Sequence, residues 1–172
     1  VGQVRVGGFV ATYFGTQKLT QDNGGASVYG GSDLTVARGG FDALLALDID
    51  DAARRAIAQA CVYDAAAEHC FDRFAASRRN YDIVRGRGPR GEIMAGVLEQ
   101  SWRIGGASSA EIAALEAFSA DPALDAVRAE CSEVYGEGAA PPPCGATVYF
   151  RGIDPAVGYI TKYATLAPYA DA

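Results

Sequence analysis

The sequence predicts a mainly α domain of about four helices, with an extended Gly-rich N-terminal arm and a short β-like C-terminal tail. Three observations lead there. From Asp48 to Arg79 apolar residues recur near the helical period, and neither Gly nor Pro interrupts the run. Between Glu92 and Tyr135 further segments lie between helix start and stop signals. Residues 1–40, by contrast, carry the glycine pairs Gly7-Gly8, Gly24-Gly25, Gly30-Gly31 and Gly39-Gly40, which separate short runs rich in Val, Tyr, Phe and Thr.

The totals bound the class. A chain of 172 residues suits one domain, or one domain with an arm, and buries a core without metal or disulfide help. Hydrophobic residues at 49% and charged residues at 21% rule out wholesale disorder. No apolar run approaches the roughly 20 residues of a membrane helix. The net charge of −6 argues against a general nucleic-acid binder. His69 is the single histidine, which excludes a multi-histidine metal site. The chain starts at Val1 rather than Met, so either a leader has been removed, with an exported or organellar destination, or the sequence is a fragment.

In the arm, the runs Val4–Val10, Thr12–Phe14, Ser27–Tyr29 and Leu34–Ala37 read either as a small meander with Gly turns or as a segment that orders on a partner. Residues 41–136 form the expected helical domain. Asp48 offers an N-cap, and Ile49, Ala53, Ile57, Ala60, Ala67, Phe71 and Phe74 make the buried stripe of a helix over Asp48–Arg79, continuous or jointed. Arg85 to Gly91 reads as a loop, because Gly and Pro break a helix there. A second helix is expected over Glu92–Ile104, stopped by Gly105-Gly106. A third starts on the capping-box pair Ser108 and Glu111 and runs to about Ser119, and a fourth starts at Asp121-Pro122 and ends at Tyr135. Residues 137–172 hold the stiff Pro141-Pro142-Pro143 and a tail with β character around Asp154-Pro155.

Four cysteines carry the candidate chemistry. Cys61 and Cys70 lie nine residues apart on one expected helix. That separation is about 13.5 Å of rise and about 180° of rotation. A disulfide needs Cα atoms within about 7 Å, so these two do not bridge. Cys131 and Cys144 flank Gly136, Gly138 and the proline run, so a bridge there competes with two free thiols. His69 beside Cys70 points about 100° away from it on a helix, a poor arrangement for one metal ion or for a Cys–His hydrolase. A thiol-dependent enzyme using Cys131 or Cys70 is a further alternative. Asp48, Asp50 and Asp51 lack the glycine and distal glutamate of a calcium loop and read as helix capping.

A linear tetrapyrrole needs a thiol for a thioether, a carboxylate for the pyrrole N–H groups and arginine for the propionates. Cys61 with Asp64, and Cys70 with Asp72 and Arg73, supply these groups within a turn. Downstream, Gly91-Glu92-Ile93 followed by Gly105-Gly106-Ala107-Ser108-Ser109 resembles the attachment segment of phycobiliproteins, the bilin-carrying antenna proteins. The resemblance covers fewer than 20 residues, and Gly88-Pro89-Arg90 stands where the family places its cysteine. It implies a covalent bilin at Cys61 or Cys70, a phycobilisome antenna or linker role in photosynthesis, and a chloroplast or similar compartment.

Arg73, Arg78, Arg79, Arg85, Arg87 and Arg90 fall within 18 residues, with only Asp82 among them and Asp72 just before. Their planar forks suit carboxylate and phosphate. Arg78, Arg79, Arg85, Arg87 and Arg90 are therefore the expected partner-binding group, meeting an acidic protein surface. The segment lacks the phosphate-loop pattern and the interleaved aromatics of a nucleic-acid binder. The function expected from the residues is a non-catalytic structural or linker subunit, assembling through arm, tail and arginine cluster.

Overall fold

The computed structural model describes residues 1–169. Among them the chain is mostly β rather than mainly α, with eight strands and three helices. The strands are β1 (Gly2–Val6), β2 (Phe9–Gln21), β3 (Ser27–Arg38), β4 (Arg78–Arg87), β5 (Ile93–Ser101), β6 (Ala126–Tyr135), β7 (Thr147–Asp154) and β8 (Gly158–Pro168). The helices are α1 (Phe41–Leu45), α2 (Asp51–Cys70) and α3 (Ser108–Ala120). The strands hydrogen-bond in the order β5-β4-β1-β2-β3-β6-β8-β7. The described residues fall into two compact units, Val1–Phe14 with Ala37–Ile104, and Gly15–Val36 with residues 105–169.

In the first unit β1 pairs antiparallel with both β2 and β4, and β4 with β5. Period-two alternation sorts the side chains. Gln3, Thr12 and Arg79 share one cross-strand row on the face that α2 covers, while Gly2, Tyr13 and Asn80 share a row on the opposite face. A hydrophobic cluster of Ala37, Leu44 and Ile57, with Phe14, Phe41, Leu47, Ile49 and Cys61 against it, seats α1 and α2. Full burial of Leu44 and Ile57 is worth about 1.5–3 kcal/mol each.

The expected long helix is shorter at both ends. Asp50, not Asp48, caps α2, its carboxylate accepting from the Ala53 N–H at 2.7 Å. The helix stops at Cys70, and Arg78 and Arg79 open β4 instead of closing a helix. The expected helix over Glu92–Ile104 is instead strand β5. Met, Ala, Leu, Glu and Gln favour a helix there, but Gly96 disfavours it by about 1 kcal/mol, and pairing with β4 decides the outcome.

In the second unit β8 lies between β6 and β7, antiparallel to both, and α3 packs on β6 and β8. Gly31 has a φ of 136°, and a Cβ there would fall 2.0 Å from the Cys131 carbonyl oxygen, so only glycine admits that approach. The third expected helix is present as α3, although Ala107 is its cap and the Ser108 hydroxyl accepts from the Gly105 N–H at 3.0 Å. The fourth is absent. The Asp121 carboxylate accepts from the Ala123 N–H at 2.9 Å, a local turn that ends α3, and the chain continues as β6. There exposed Arg128 and half-buried Glu130 alternate with buried Val127, Ala129 and Cys131, the period of a strand. Phycobiliproteins are helical, and a sheet-rich chain does not share that fold.

Candidate functional site

The segment Gly88-Pro89-Arg90-Gly91 joins β4 to β5. Gly91 N–H donates to the Gly88 carbonyl at 2.9 Å, and Gly88 N–H to the Glu92 carbonyl at 2.8 Å. Proline presets the first turn residue, and Gly91 at φ 83° takes the left-handed position that closes a three-residue hairpin loop. The result is a two-stranded ribbon, β4–β5. Asp82 pairs with Glu99 but Ile83 with Val97, which leaves Leu98 as a bulge.

Beyond that bulge much of the ribbon is exposed. Val84, Ile93, Met94 and Leu98 are 51%, 54%, 57% and 74% exposed. Arg85, Arg87 and Arg90 are exposed as well. Arg90 pairs with Glu92 at 3.7 Å, and Arg87 donates to the Gly91 carbonyl at 3.3 Å. Residues 83–97 hold three arginines and one glutamate, a net charge of +2 on a chain of −6. Arg85 and Arg87 point to the α2 side, together with Ile93, Ala95 and Val97. Val84 and Met94 point to the other side, with Gly86 and Gly96 between them.

A buried polar network holds the base of the ribbon. Arg79 Nη1 donates to Asp64 Oδ1 and Oδ2 at 3.0 and 2.9 Å and to Glu68 Oε1 at 2.6 Å. The Tyr81 hydroxyl donates to Asp64 Oδ1 at 2.7 Å. Phe74 lies under the Arg79 guanidinium at 4.8 Å and edge-on to Trp102 at 4.6 Å. Burial pulls Arg79 toward neutrality, but the bonds to Glu68 and Asp64 outweigh it and raise its pKa. Burial, then the bond to Asp64, pushes the Tyr81 phenol well above its usual range. On the opposite face Arg78 Nη1 donates to the Arg103 carbonyl at 2.6 Å.

The expected arginine group therefore divides. Arg78 and Arg79 are buried and internally bonded, whereas Arg85, Arg87 and Arg90 meet solvent together on the ribbon. Arg73 sits at φ 60° in the exposed turn after α2. The expected tetrapyrrole set is not assembled. The Asp64 carboxylate is taken by Arg79 and Tyr81. Cys61 is half-buried against the α1–α2 core, while Cys70, Asp72 and Arg73 are exposed at the end of α2. Sequence reasoning missed the ribbon. Its signal was β-compatible residues on both sides of a Gly-Pro-Arg-Gly turn.

All four cysteines are free thiols, Cys131 buried and Cys144 exposed, so of the two readings for this pair the structure has the free thiols and not the bridge. Cys131 Sγ accepts from the Ser32 N–H at 3.2 Å, lies 3.4 Å from the Tyr29 hydroxyl and donates to the Gly106 carbonyl at 3.4 Å. Its sulfur is buried with its hydrogen-bonding capacity used inside the unit. Burial, then the charges of Asp64 and Asp42, pushes the Cys61 thiol up, away from the reactive form. A groove of about 310 Å³ runs beside α3 over Ala113, Ala117, Thr147 and Leu166, and of its lining residues Glu116 alone is charged. Among the described residues no group of three or more His, Cys, Asp or Glu is placed to hold a metal ion. No helix among them is long and apolar enough to cross a membrane.

These features define an antiparallel-sheet protein of two compact units with an exposed, basic ribbon. The chain belongs to the family described as protein of unknown function DUF3182, whose profile matches residues 1–164. Comparison with curated proteins and with solved structures finds no match. The resemblance to phycobiliproteins falls with the fold and the family match. Gly91-Glu92-Ile93 closes a hairpin, and Gly105 to Ser109 leads into α3. The bilin, antenna and photosynthesis readings fall with it.

Proposed function

We propose that this chain is a non-catalytic assembly module that docks onto an acidic surface of a partner protein through the outer half of the β4–β5 ribbon. One observation carries the reading: apolar and arginine side chains lie together, uncovered, on a two-stranded element. A lone ribbon is marginally stable in water, so a covering partner would stabilise it. Methionine and arginine are favoured in interfaces, and contiguous exposed apolar surface marks contact sites. Val84, Ile93, Met94 and Leu98 are each about half covered or less. Completing their burial is worth about 3–6 kcal/mol together. The arginines add steering and register rather than bulk affinity. The N-terminal segment is engaged in β1–β3, which leaves the ribbon to play the part expected of the arm.

The test is a photo-crosslinking amino acid placed at Met94 in cells that express the chain, with Arg55 on the exposed face of α2 as control. A discrete protein adduct at Met94, lost when Arg85 and Arg87 become glutamate, supports the reading. No adduct at Met94, or the same adducts from Arg55, overturns it.

A further inference from the structure

The ribbon has a free edge as well as two faces. The Gly88–Glu92 hydrogen bond sets the alternation along the hairpin. Gly86 with Met94 and Val84 with Gly96 are then the bonded pairs, while Arg87–Ile93, Arg85–Ala95 and Ile83–Val97 are not. So Ile93, Ala95 and Val97 turn their N–H and C=O groups away from β4, toward the outer edge of β5. One of these groups is engaged by a side chain of α2. Gln59 Nε2 donates to the Ala95 carbonyl at 3.0 Å, standing where the N–H of an added strand would stand. Its other end is in a poor position, because Gln59 Oε1 is buried and has no hydrogen-bond partner. A buried unpaired acceptor is unfavourable, and it is relieved when the amide swings into water.

Building on the docking role proposed above, we infer that the partner binds by strand addition: an extended segment carrying acidic side chains pairs with the β5 edge at Ile93, Ala95 and Val97 and displaces the Gln59 side chain. Charge selects this occupant. Arg85 lies across small Ala95 from the added strand, and Arg87 across Ile93. Alternate residues of that strand therefore face a row of guanidinium groups. The residues between them face Val84 and Met94 and the open ground above Gly86 and Gly96, where a Cβ added to either glycine would meet nothing within 4 Å. The recognised pattern is acidic and apolar in alternation. Main-chain bonds give affinity, and the two faces give selectivity. Exposed apolar side chains on both faces favour a protein strand over a nucleic acid.

The experiment uses a blocked, fluorescent peptide of about nine alternating valine and glutamate residues, a usual strand length or slightly more. A helical peptide of alanine and glutamate with the same charge is the control. Anisotropy is measured on the whole chain. The valine–glutamate peptide binds, and the helical peptide binds at least about tenfold more weakly. Ala95→Pro removes an outward N–H without touching the β4 ladder and weakens binding about tenfold. Gln59→Ala removes the competing amide and tightens binding about fivefold, the worth of one hydrogen bond. Hydrogen exchange at the Met94 and Gly96 amides shows whether Ala95→Pro leaves the ribbon paired. If it does not, Ile93→Pro replaces it. Equal binding of the helical peptide overturns the inference. So does indifference to both proline variants, or a short single-stranded RNA that outcompetes the peptide. If any of these occurs while the Met94 crosslink persists, the ribbon still docks and strand addition fails. If the crosslink is absent too, both fail.

Discussion

Removing the Asp64 carboxylate should loosen the base of the ribbon by an amount the structure allows to be worked out. Asp64 accepts two bonds from Arg79, at 3.0 and 2.9 Å, and one from Tyr81 at 2.7 Å. Asp64→Ala leaves the Arg79 guanidinium in a site where its side chain is 5% exposed and its Nε already lacks a partner. Breaking a buried ion pair from one side costs about 3–5 kcal/mol. Glu68 stays within 2.6 Å of Arg79 but is half in water, so it keeps only part of the compensation. The expected loss is therefore at the lower end, about 3 kcal/mol. For a chain of this size that is about 6–12 °C in Tm. Urea unfolding followed by the fluorescence of Trp102, the single tryptophan, reads it directly, because Trp102 packs on Phe74 beside Arg79. Asp64→Asn keeps the shape and one acceptor and loses about half as much. Arg79→Met combined with Asp64→Ala costs less than the sum, by about 1–3 kcal/mol, because both remove one network. A loss below about 1 kcal/mol for Asp64→Ala, the level of an exposed ion pair, refutes the reasoning.

Four further outcomes are expected. The Tyr81 phenol has a raised pKa in the folded chain, so the unfolded chain ionises first: stability is complete below about pH 10 and falls as pH rises above it. Tyr81→Phe flattens that fall in alkaline thermal melts, and an unchanged slope counts against it. Lys18, then burial working against it, sets the Glu130 carboxyl below its usual range, so this contribution is present above the unfolded carboxylate pKa and is lost as pH falls through the folded one. Lys18→Gln moves the Glu130 titration upward by NMR, and no movement counts against the pairing. Native alkylation with intact-mass readout labels Cys70 and Cys144 fast, Cys61 slowly and Cys131 only on unfolding; a mass two hydrogens short would instead reveal a bridge. Gly91→Ala costs about 1 kcal/mol through its positive φ alone, since nothing surrounds that site, and it shows as faster hydrogen exchange across β4–β5; unchanged exchange argues against the turn geometry.

Some of this was legible in the residues and some was not, for identifiable reasons. The helix near Ser108 and the paired strands around Asp154-Pro155 announce themselves through local chemistry, and local chemistry is what holds them: Asp154 accepts from the Ala156 and Val157 N–H groups. The helix after Asp50 is visible for the same reason, but its end is not. Phe71 to Ser77 continue a helix-compatible composition, and only the pairing of Arg78 with Val4, far away in sequence, turns the chain beyond Ser77 into strand. β5 and β6 are partly hidden. Alanine and glutamate in both, with leucine and glutamine in β5, suit helices, and pairing decides for strand: with adjacent β4 across the hairpin for β5, and with distant β8 for β6. Of the candidate site, the arginine density was plain. Its division into two buried and three exposed members follows from strand alternation and from Asp64 on a separate helix, so it needed the tertiary structure.

The bulge at Leu98 sets a length limit on anything that lies along β5. A strand that pairs regularly with Ile93 to Val97 loses phase at Leu98, and its next side chains would emerge on the wrong face. The usable track is thus five residues, about 17 Å. Under the docking proposed above, a partner strand held on so short a track would dissociate readily and exchange rather than be captured for good.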